Sequence, residues 1–188
     1  NVRGGGVDQN LVLLDEAPVY NSSHLFGFFS VFNPDAVKDV KLYKGGIPAK
    51  YGGRLSSILD VRMKEGNSKK LAVSGGVGFI FSRLSVEAPI IKDKASFIVA
   101  GRRSYIDVLS KPFLNDDLSD TALNFYDLTL KTNYKVNEKN RIYLSGYLGR
   151  DNFRFSEAAG FDWGNRTATL RWNHLFSDKL FANFTTYY

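Results

Sequence analysis

From residue 71 onward the apolar residues fall at every second position, and the chain turns back on itself every ten to twenty residues. This period of two predicts seven antiparallel strands. Leu71, Val73, Gly75, Val77 and Phe79 share one face of the first, and Leu84, Val86 and Ala88 one face of the second. The third, from Ala95 to Ile106, is apolar on both parities, which leaves its facing open. In the fourth, Tyr126, Leu128, Leu130, Thr132, Tyr134 and Val136 oppose Asp127, Thr129, Lys131, Asn133 and Lys135. The fifth sets Ile142, Leu144, Gly146 and Leu148 against Arg141, Tyr143, Ser145 and Tyr147, and the sixth sets Ala168, Leu170 and Trp172 against Thr169, Arg171 and Asn173. In the seventh, Leu180, Ala182 and Phe184 oppose Asn183 and Thr185.

Three connections are short and polar (92–94, 137–140, 177–179), while two others, about 110–121 and 156–164, are longer. Alternating short turns and long loops are the habit of transmembrane β-barrels. Strands of about ten residues, rising ~3.3 Å each and tilted by roughly 45°, span about 23 Å, close to the ~25 Å apolar band of such barrels. A soluble antiparallel sheet with one buried face alternates in the same way. Tyr126, Tyr134 and Trp172 favour the membrane wall, because they stand near strand ends on the apolar face as girdle residues do. Lys131, Arg141 and Arg171 at mid-strand on the other face suit a wet lumen. Bacterial barrels have an even number of strands, eight or more, so seven strands make only part of one.

Composition narrows the function classes. With 15 Phe, 10 Tyr, 2 Trp and 17 Gly among 188 residues, strands and turns are favoured. The absence of cysteine removes disulfides, thiolate metal sites and a cysteine nucleophile. The net charge of +6 is spread evenly: residues 1–70 hold 10 basic against 7 acidic side chains, and 71–188 hold 15 against 12. A nucleic-acid partner is not expected from charge so dispersed. The longest apolar runs, Leu11 to Leu14 and Phe97 to Ala100, are far short of a membrane helix. The glycine pairs lack the Gly-Lys-Ser/Thr of a phosphate loop, and Ser22-Ser23-His24 is not a triad. No catalytic residue, metal site or cofactor is expected; Asp116, Asp117 and Asp120 read as a solvated loop.

A polar linker, Lys64-Glu65-Gly66-Asn67-Ser68-Lys69-Lys70, separates this region from a glycine-punctuated one, giving two parts at 1–66 and 67–188. The first part reads Val2-Arg3-Gly4-Gly5-Gly6, then the strand Leu11 to Asp15, then Val40 to Tyr43, a Tyr51-Gly52-Gly53-Arg54 turn and a last strand Ser57 to Val61. In that order these motifs resemble the plug domain of TonB-dependent outer-membrane receptors. The wording of Asn21 to Pro34 is similar to the Bacteroidetes-type branch, whose members often carry a carboxypeptidase-like regulatory domain before the plug. Asn33-Pro34-Asp35 reads locally as a helix N-cap with proline in the first turn, so a short helix through Val37 is expected.

The resemblance implies a mainly β chain: the C-terminal part of a small α/β plug domain, then the first seven or so antiparallel strands of a large, here incomplete, transmembrane β-barrel. It implies an outer-membrane importer of a scarce small-molecule, sugar or peptide substrate, energised by a TonB-type periplasmic protein, with outer-membrane lipid around it and a surface lipoprotein as a further partner. The TonB box of the family would lie upstream. A non-transporting accessory barrel of an outer-membrane assembly is the alternative reading. By analogy with the family, Asn21 to Phe32 forms the plug apex, with Asn21, Ser22, His24, Phe26 and Phe28 as substrate contacts; packing of those phenylalanines against the barrel is equally open. Glu87, on the lumenal parity, is expected to pair with plug Arg3 or Arg54, or else to stand in lumenal water.

Overall fold

The computed structural model describes residues 2, 4, 6–54, 56–110, 112, 122–154 and 159–188. Six strands form the first part: β1 Asn10–Leu14, β2 Ala17–Pro18, β3 Ser23–His24, β4 Phe29–Ser30, β5 Val37–Tyr43 and β6 Ser57–Met63. Seven more form the second: β7 Ala72–Val77, β8 Phe81–Ile91, β9 Ala95–Ser104, β10 Ala122–Asn137, β11 Asn140–Arg154, β12 Gly160–Ser177 and β13 Leu180–Tyr187. A short helix, α1 Ile106–Ser110, follows β9.

The first part is a four-stranded sheet in the order β2-β1-β6-β5, in which β1 and β6 run parallel, with a β3-β4 hairpin beside it. A parallel pair is shielded on both faces, which suits the apolar run Leu11 to Leu14 of β1, while β6 buries Ser57 and Asp60 beside Ile58, Val61 and Met63. Leu14, Val19, Val31, Val61 and Met63 close a core whose sixth member, Tyr147, comes from β11 of the other part. The expected helix after Asn33 is a turn. The Asn33 carbonyl accepts the N–H groups of Ala36 and Val37 and its side chain accepts that of Asp35, but Val37 already begins β5.

The second part is a seven-stranded antiparallel meander, β7 to β13 in sequence order. No helix among the described residues is long and apolar enough to cross a membrane. The alternation read from the sequence is the alternation of burial: Asp127, Thr129, Lys131, Tyr143, Ser145, Tyr147, Thr169 and Arg171 are buried against the first part. Leu128, Leu130, Leu144 and Leu170 are exposed on the outer face.

The facing of β9 follows from register. Ile98 pairs across to Glu87 and Lys131, so Ser96, Ile98, Ala100, Arg102 and Ser104 face inward. Its inner face is apolar at Ile98 and Ala100 because these pack on Ala36, and a strand apolar on both faces shows no clean alternation. Strand length differs from the ten residues expected: β10, β11 and β12 have 16, 15 and 18. Gly160 to Gly164, expected in a long loop, extend β12 and pair with Arg150 to Arg154. The short turns at 92–94, 137–140 and 177–180 all lie at one end of the sheet, the turn end; the longer connections lie at the other, the loop end.

Candidate functional site

The chemistry of this chain lies where the first part meets the inner face of the sheet. Asp15 and Glu16 form the two-residue turn between β1 and β2, with φ of 45° and 76°, the left-handed conformation a tight hairpin needs. The turn drives both carboxylates into the wall. Asp15 Oδ1 accepts the Met63 N–H at 3.0 Å, and Oδ2 lies 2.8 Å from the Lys131 ammonium, which itself donates to the Met63 carbonyl at 3.0 Å. The side chains are 5% and 3% exposed, so this is a fully desolvated pair. Glu16 Oε1 lies 3.2 Å from Arg171 Nη1 and 3.6 Å from Arg62, and its Oε2 accepts the Thr185 hydroxyl at 2.5 Å. Arg171 also covers the Tyr143 ring, with its guanidinium carbon 4.3 Å from the centroid. Behind the turn, Tyr51 donates to Asp60 at 2.9 Å, and burial together with that carboxylate pushes the phenol well above its ordinary range.

Two further contacts brace the sides. Asp35 of the first part pairs with Arg83 of β8. Arg102 of β9 holds Asp127 through Nε and Nη2 at 2.8 and 2.7 Å, and Nη2 also donates to the Ser30 carbonyl at 2.8 Å. At the turn end the linker is stitched to the wall: the Glu65 carbonyl accepts Ser96 Oγ at 2.8 Å and Asn133 Nδ2 at 2.6 Å. Gly66 passes so close, at φ +80°, that a Cβ there would lie 2.3 Å from the Phe97 carbonyl oxygen.

The segment from 20 to 30 sits at the loop end. Asn21 exchanges two hydrogen bonds with Asn165 of β12, donating at 3.4 Å and accepting at 2.6 Å. Phe26 lies against Phe153, Phe161 and Trp163 with centroids at 4.4, 6.1 and 5.4 Å, yet remains 63% exposed, and Phe28 is 82% exposed. Ser22 and Arg54 border a cleft of about 1230 Å³ between β1, β2, the 50–54 turn and β13.

His24 departs from the expectation of a substrate contact. It is 1% exposed and turned onto the wall, with Nδ1 2.7 Å from Asp151 Oδ2, Nε2 3.5 Å from Asp127 Oδ2, and its ring stacked on Phe125 at 4.4 Å. Burial works to lower its pKa, but hydrogen bonds and attraction from Asp127 and Asp151 outweigh it, and the net direction is upward.

Of the two expected pairings of Glu87, the one with Arg54 is not observed. Among the described residues no ion pair joins Glu87 to Arg54, which is exposed and donates to the Gly53 carbonyl. Arg3 lies outside the described residues, as do Asp116, Asp117 and Asp120. In three of the contacts the polarity is the reverse of that expectation: acids Asp15, Glu16 and Asp35 come from the first part, bases Lys131, Arg171 and Arg83 from the wall, whereas at His24 the acids are the wall's. The signal was present in the mid-strand Lys131 and Arg171, because a buried cation on an inner wall demands an acid opposite.

On the outer face, Tyr134, Ile142, Trp172 and Phe184 lie in one register row near the turn end, with Trp172 stacked on Phe184 at 5.2 Å and its indole N–H donated to Asn140 at 3.0 Å. Tyr126 stands eight residues along β10, about 26 Å at the usual rise, in a row with Arg103 and Arg150. Apolar side chains fill most of the positions between those rows, and charged ones gather beyond Tyr126, where β10 to β12 run on past the apolar band.

Residues 1–57 match the model of the TonB-dependent receptor plug domain. The whole fold is similar to the siderophore receptor PirA from Pseudomonas aeruginosa, with a TM-score of 0.70 at 16% identity over 100% of this chain and 33% of that one. It is likewise similar to PirA from Acinetobacter baumannii, at 0.69 and 15% over 98% and 32% of the two chains. A variant of the ferric enterobactin receptor PfeA from Pseudomonas aeruginosa gives 0.62 and 12% over 98% and 33%. Among curated proteins none matches by sequence. The chain thus spans about a third of the length of the solved receptors it matches. Residues 1–57 thus match a plug-domain model, and the seven-stranded sheet against which they are locked has, together with them, the fold of the corresponding third of the solved siderophore receptors.

Proposed function

We propose that this chain is the plug (1–66) and leading wall (67–188) of an active outer-membrane importer, in which a TonB-type periplasmic protein pulls the plug and releases substrate held at the loop end, the extracellular side. The observation that carries it is the polar interface between plug and wall. Asp15, Glu16 and Asp35 are held by Lys131, Arg171 and Arg83. Each of these groups can be rehydrated once separated, so a pull opens the interface without exposing a large apolar core to water.

Substrate meets the apex at Phe26 and Phe28, which present aromatic surface outward, with Asn21 and Ser22 at its edge. His24 acts on the other side, toward the wall. The outer face between the Tyr126 and Trp172 rows meets lipid. The substrate class is a small chelate, sugar or peptide, and the solved neighbours, described as siderophore and ferric enterobactin receptors, point first to iron chelates. A surface lipoprotein over the extracellular loops is a further partner in this reading.

Cells making the whole receptor should take up radiolabelled ferric chelates only when a TonB-type protein is present, and Phe28→Ala should weaken uptake at unchanged receptor abundance. Binding and uptake that do not respond to the TonB-type protein across chelates, cobalamin, oligosaccharides and peptides would instead favour the accessory-barrel reading.

A further inference from the structure

The plug apex is held in a conformation that its own sequence disfavours. Leu25 and Phe26 both lie in the left-handed region, at φ of 50° and 58°, and Gly27 follows at 105°. Two consecutive non-glycine residues there are uncommon, and such a turn persists only where its surroundings over-determine it. It places the Leu25 side chain in a buried cluster with Phe125 and Phe153, Phe26 against the aromatic rings of β11 and β12, and Phe28 in the open.

A wall carboxylate reaches this turn. Asp151 of β11 is 1% exposed; its Oδ1 accepts the Leu25 N–H at 2.8 Å, and its Oδ2 lies 2.7 Å from His24 Nδ1. It thus grips the first strained residue and the one before it. Among the described residues, the groups facing His24 are Asp127, Asp151, Tyr147 and, through Asp127, Arg102; Tyr147 Oη lies 3.4 Å from Nε2. Two carboxylates and one guanidinium leave a net charge of −1 in a buried site, and a protonated imidazole brings the sum to zero. Both ring nitrogens then donate, one toward each carboxylate, in agreement with the upward direction of the His24 pKa.

We infer that Asp151 is the positioning residue of the apex: with one carboxylate it fixes protonated His24 and the Leu25 N–H, and so holds the left-handed turn that turns Phe28 to the extracellular cavity. This rests on the apex being the substrate-facing part of the plug, and the turn is the element that a pull on the plug must let go.

The test uses the whole receptor in outer-membrane vesicles with a nitroxide label on Phe28→Cys. In the parent the label should be ordered at pH 6. Asp151→Asn, which keeps the volume but loses an acceptor, should shorten its correlation time by about threefold or more, into the range of a free loop. His24→Gln should act in the same direction, while Lys179→Gln, in a turn at the far end, should leave the spectrum unchanged. Raising the pH should free the label in the parent and have no effect in His24→Gln, a response that a purely packing role for these side chains lacks. A label equally ordered in Asp151→Asn, His24→Gln and the parent, or a parent spectrum unaffected by pH, would overturn the inference. Label motion requires no substrate, so the underlying reading is tested separately, by chelate uptake in unlabelled Asp151→Asn. A freed label with unchanged uptake supports the clamp and counts against substrate contact at the apex.

Discussion

The Asp15–Lys131 pair is the place where a single atom exchange should cost the plug most. Both side chains are almost fully buried, 5% and 3% exposed, and beyond the pair each is bonded to Met63, Asp15 to its N–H and Lys131 to its carbonyl. Asp15→Asn preserves shape and can still accept the Met63 N–H, but it leaves the ammonium buried without a counter-charge. Breaking a buried pair in this way costs about 3–5 kcal/mol. Lys131→Met strands the carboxylate instead, at a similar cost. The double variant leaves neither charge buried, and replacement of a buried pair by uncharged groups is often close to neutral, so it should lose about 1 kcal/mol. The assay is thiol labelling in urea of Ser57→Cys, a site 2% exposed on β6, in the whole receptor, where the rate reports transient opening of the plug. At about 1.4 kcal/mol per tenfold, each single variant should label about 150-fold faster or more and the double less than tenfold faster. Single variants within threefold of the parent, or a double equal to the sum of its singles, would refute the claim that this pair is a coupled, desolvated lock.

Three other outcomes follow from the same geometry. Because the His24 pKa is raised in the fold above its ordinary 6.5, its contribution is complete below that pH and is lost as pH rises through the folded value; plug opening should quicken with pH above 6.5, and His24→Gln should flatten the profile. Gly66→Ala should weaken the linker by about 2 kcal/mol or more, read as faster labelling of a cysteine at Asn67, since its φ is +80° and the new Cβ would meet the Phe97 carbonyl; labelling at the parent rate would show that the linker does not press on β9. The 188-residue chain alone should aggregate in water and in detergent, because β7 and β13 are open edges and each unpaired backbone group in lipid costs several kcal/mol; a monodisperse, cooperatively melting sample would count against a membrane wall.

What the sequence disclosed depended on whether a strand's two faces meet different media. β10, β11 and β12 alternate because Leu128, Leu144 and Leu170 face outward while Lys131, Ser145 and Arg171 face a polar plug. In β9 the plug itself is apolar at Ala36, so Ile98 and Ala100 match it and the alternation vanishes. The outer ends of β11 and β12 were hidden for a related reason. At and beyond the Tyr126 row, Arg150, Asp162 and Gly164 need no apolar partner, and a strand without alternation looks like a loop. The plug could be recognised by its motifs in order, whereas its contacts could not, since Glu16 and Arg171 meet across 155 positions and nothing local announces the pair. His24 illustrates the same limit: a histidine beside exposed phenylalanines reads as part of their surface until the wall supplies Asp127 and Asp151.

The polarity of the lock, acids on the plug and bases on the wall, is set by the plug backbone. Asp15 does two things at once: it opposes Lys131, and it caps the N–H of Met63 at the end of β6. Only an acceptor can do the second, and lysine has none to offer. Exchanging the charges as Asp15→Lys with Lys131→Asp therefore keeps the Coulomb attraction but leaves a buried N–H unpaired, and it places a long ammonium side chain in a left-handed turn. The carboxylate that replaces the ammonium on β10 is also shorter and has no donor, so the Met63 carbonyl, which Lys131 now reaches at 3.0 Å, loses its partner as well. Two lost hydrogen bonds in a buried site amount to about 2–4 kcal/mol, and lysine in the left-handed turn adds about 1 kcal/mol, so the exchange should cost about as much as either single neutralisation. Thiol labelling at Ser57→Cys gives the comparison directly. If the exchanged pair labelled within threefold of the parent, charge attraction alone would suffice to hold the plug, and its orientation would owe nothing to the backbone of β6.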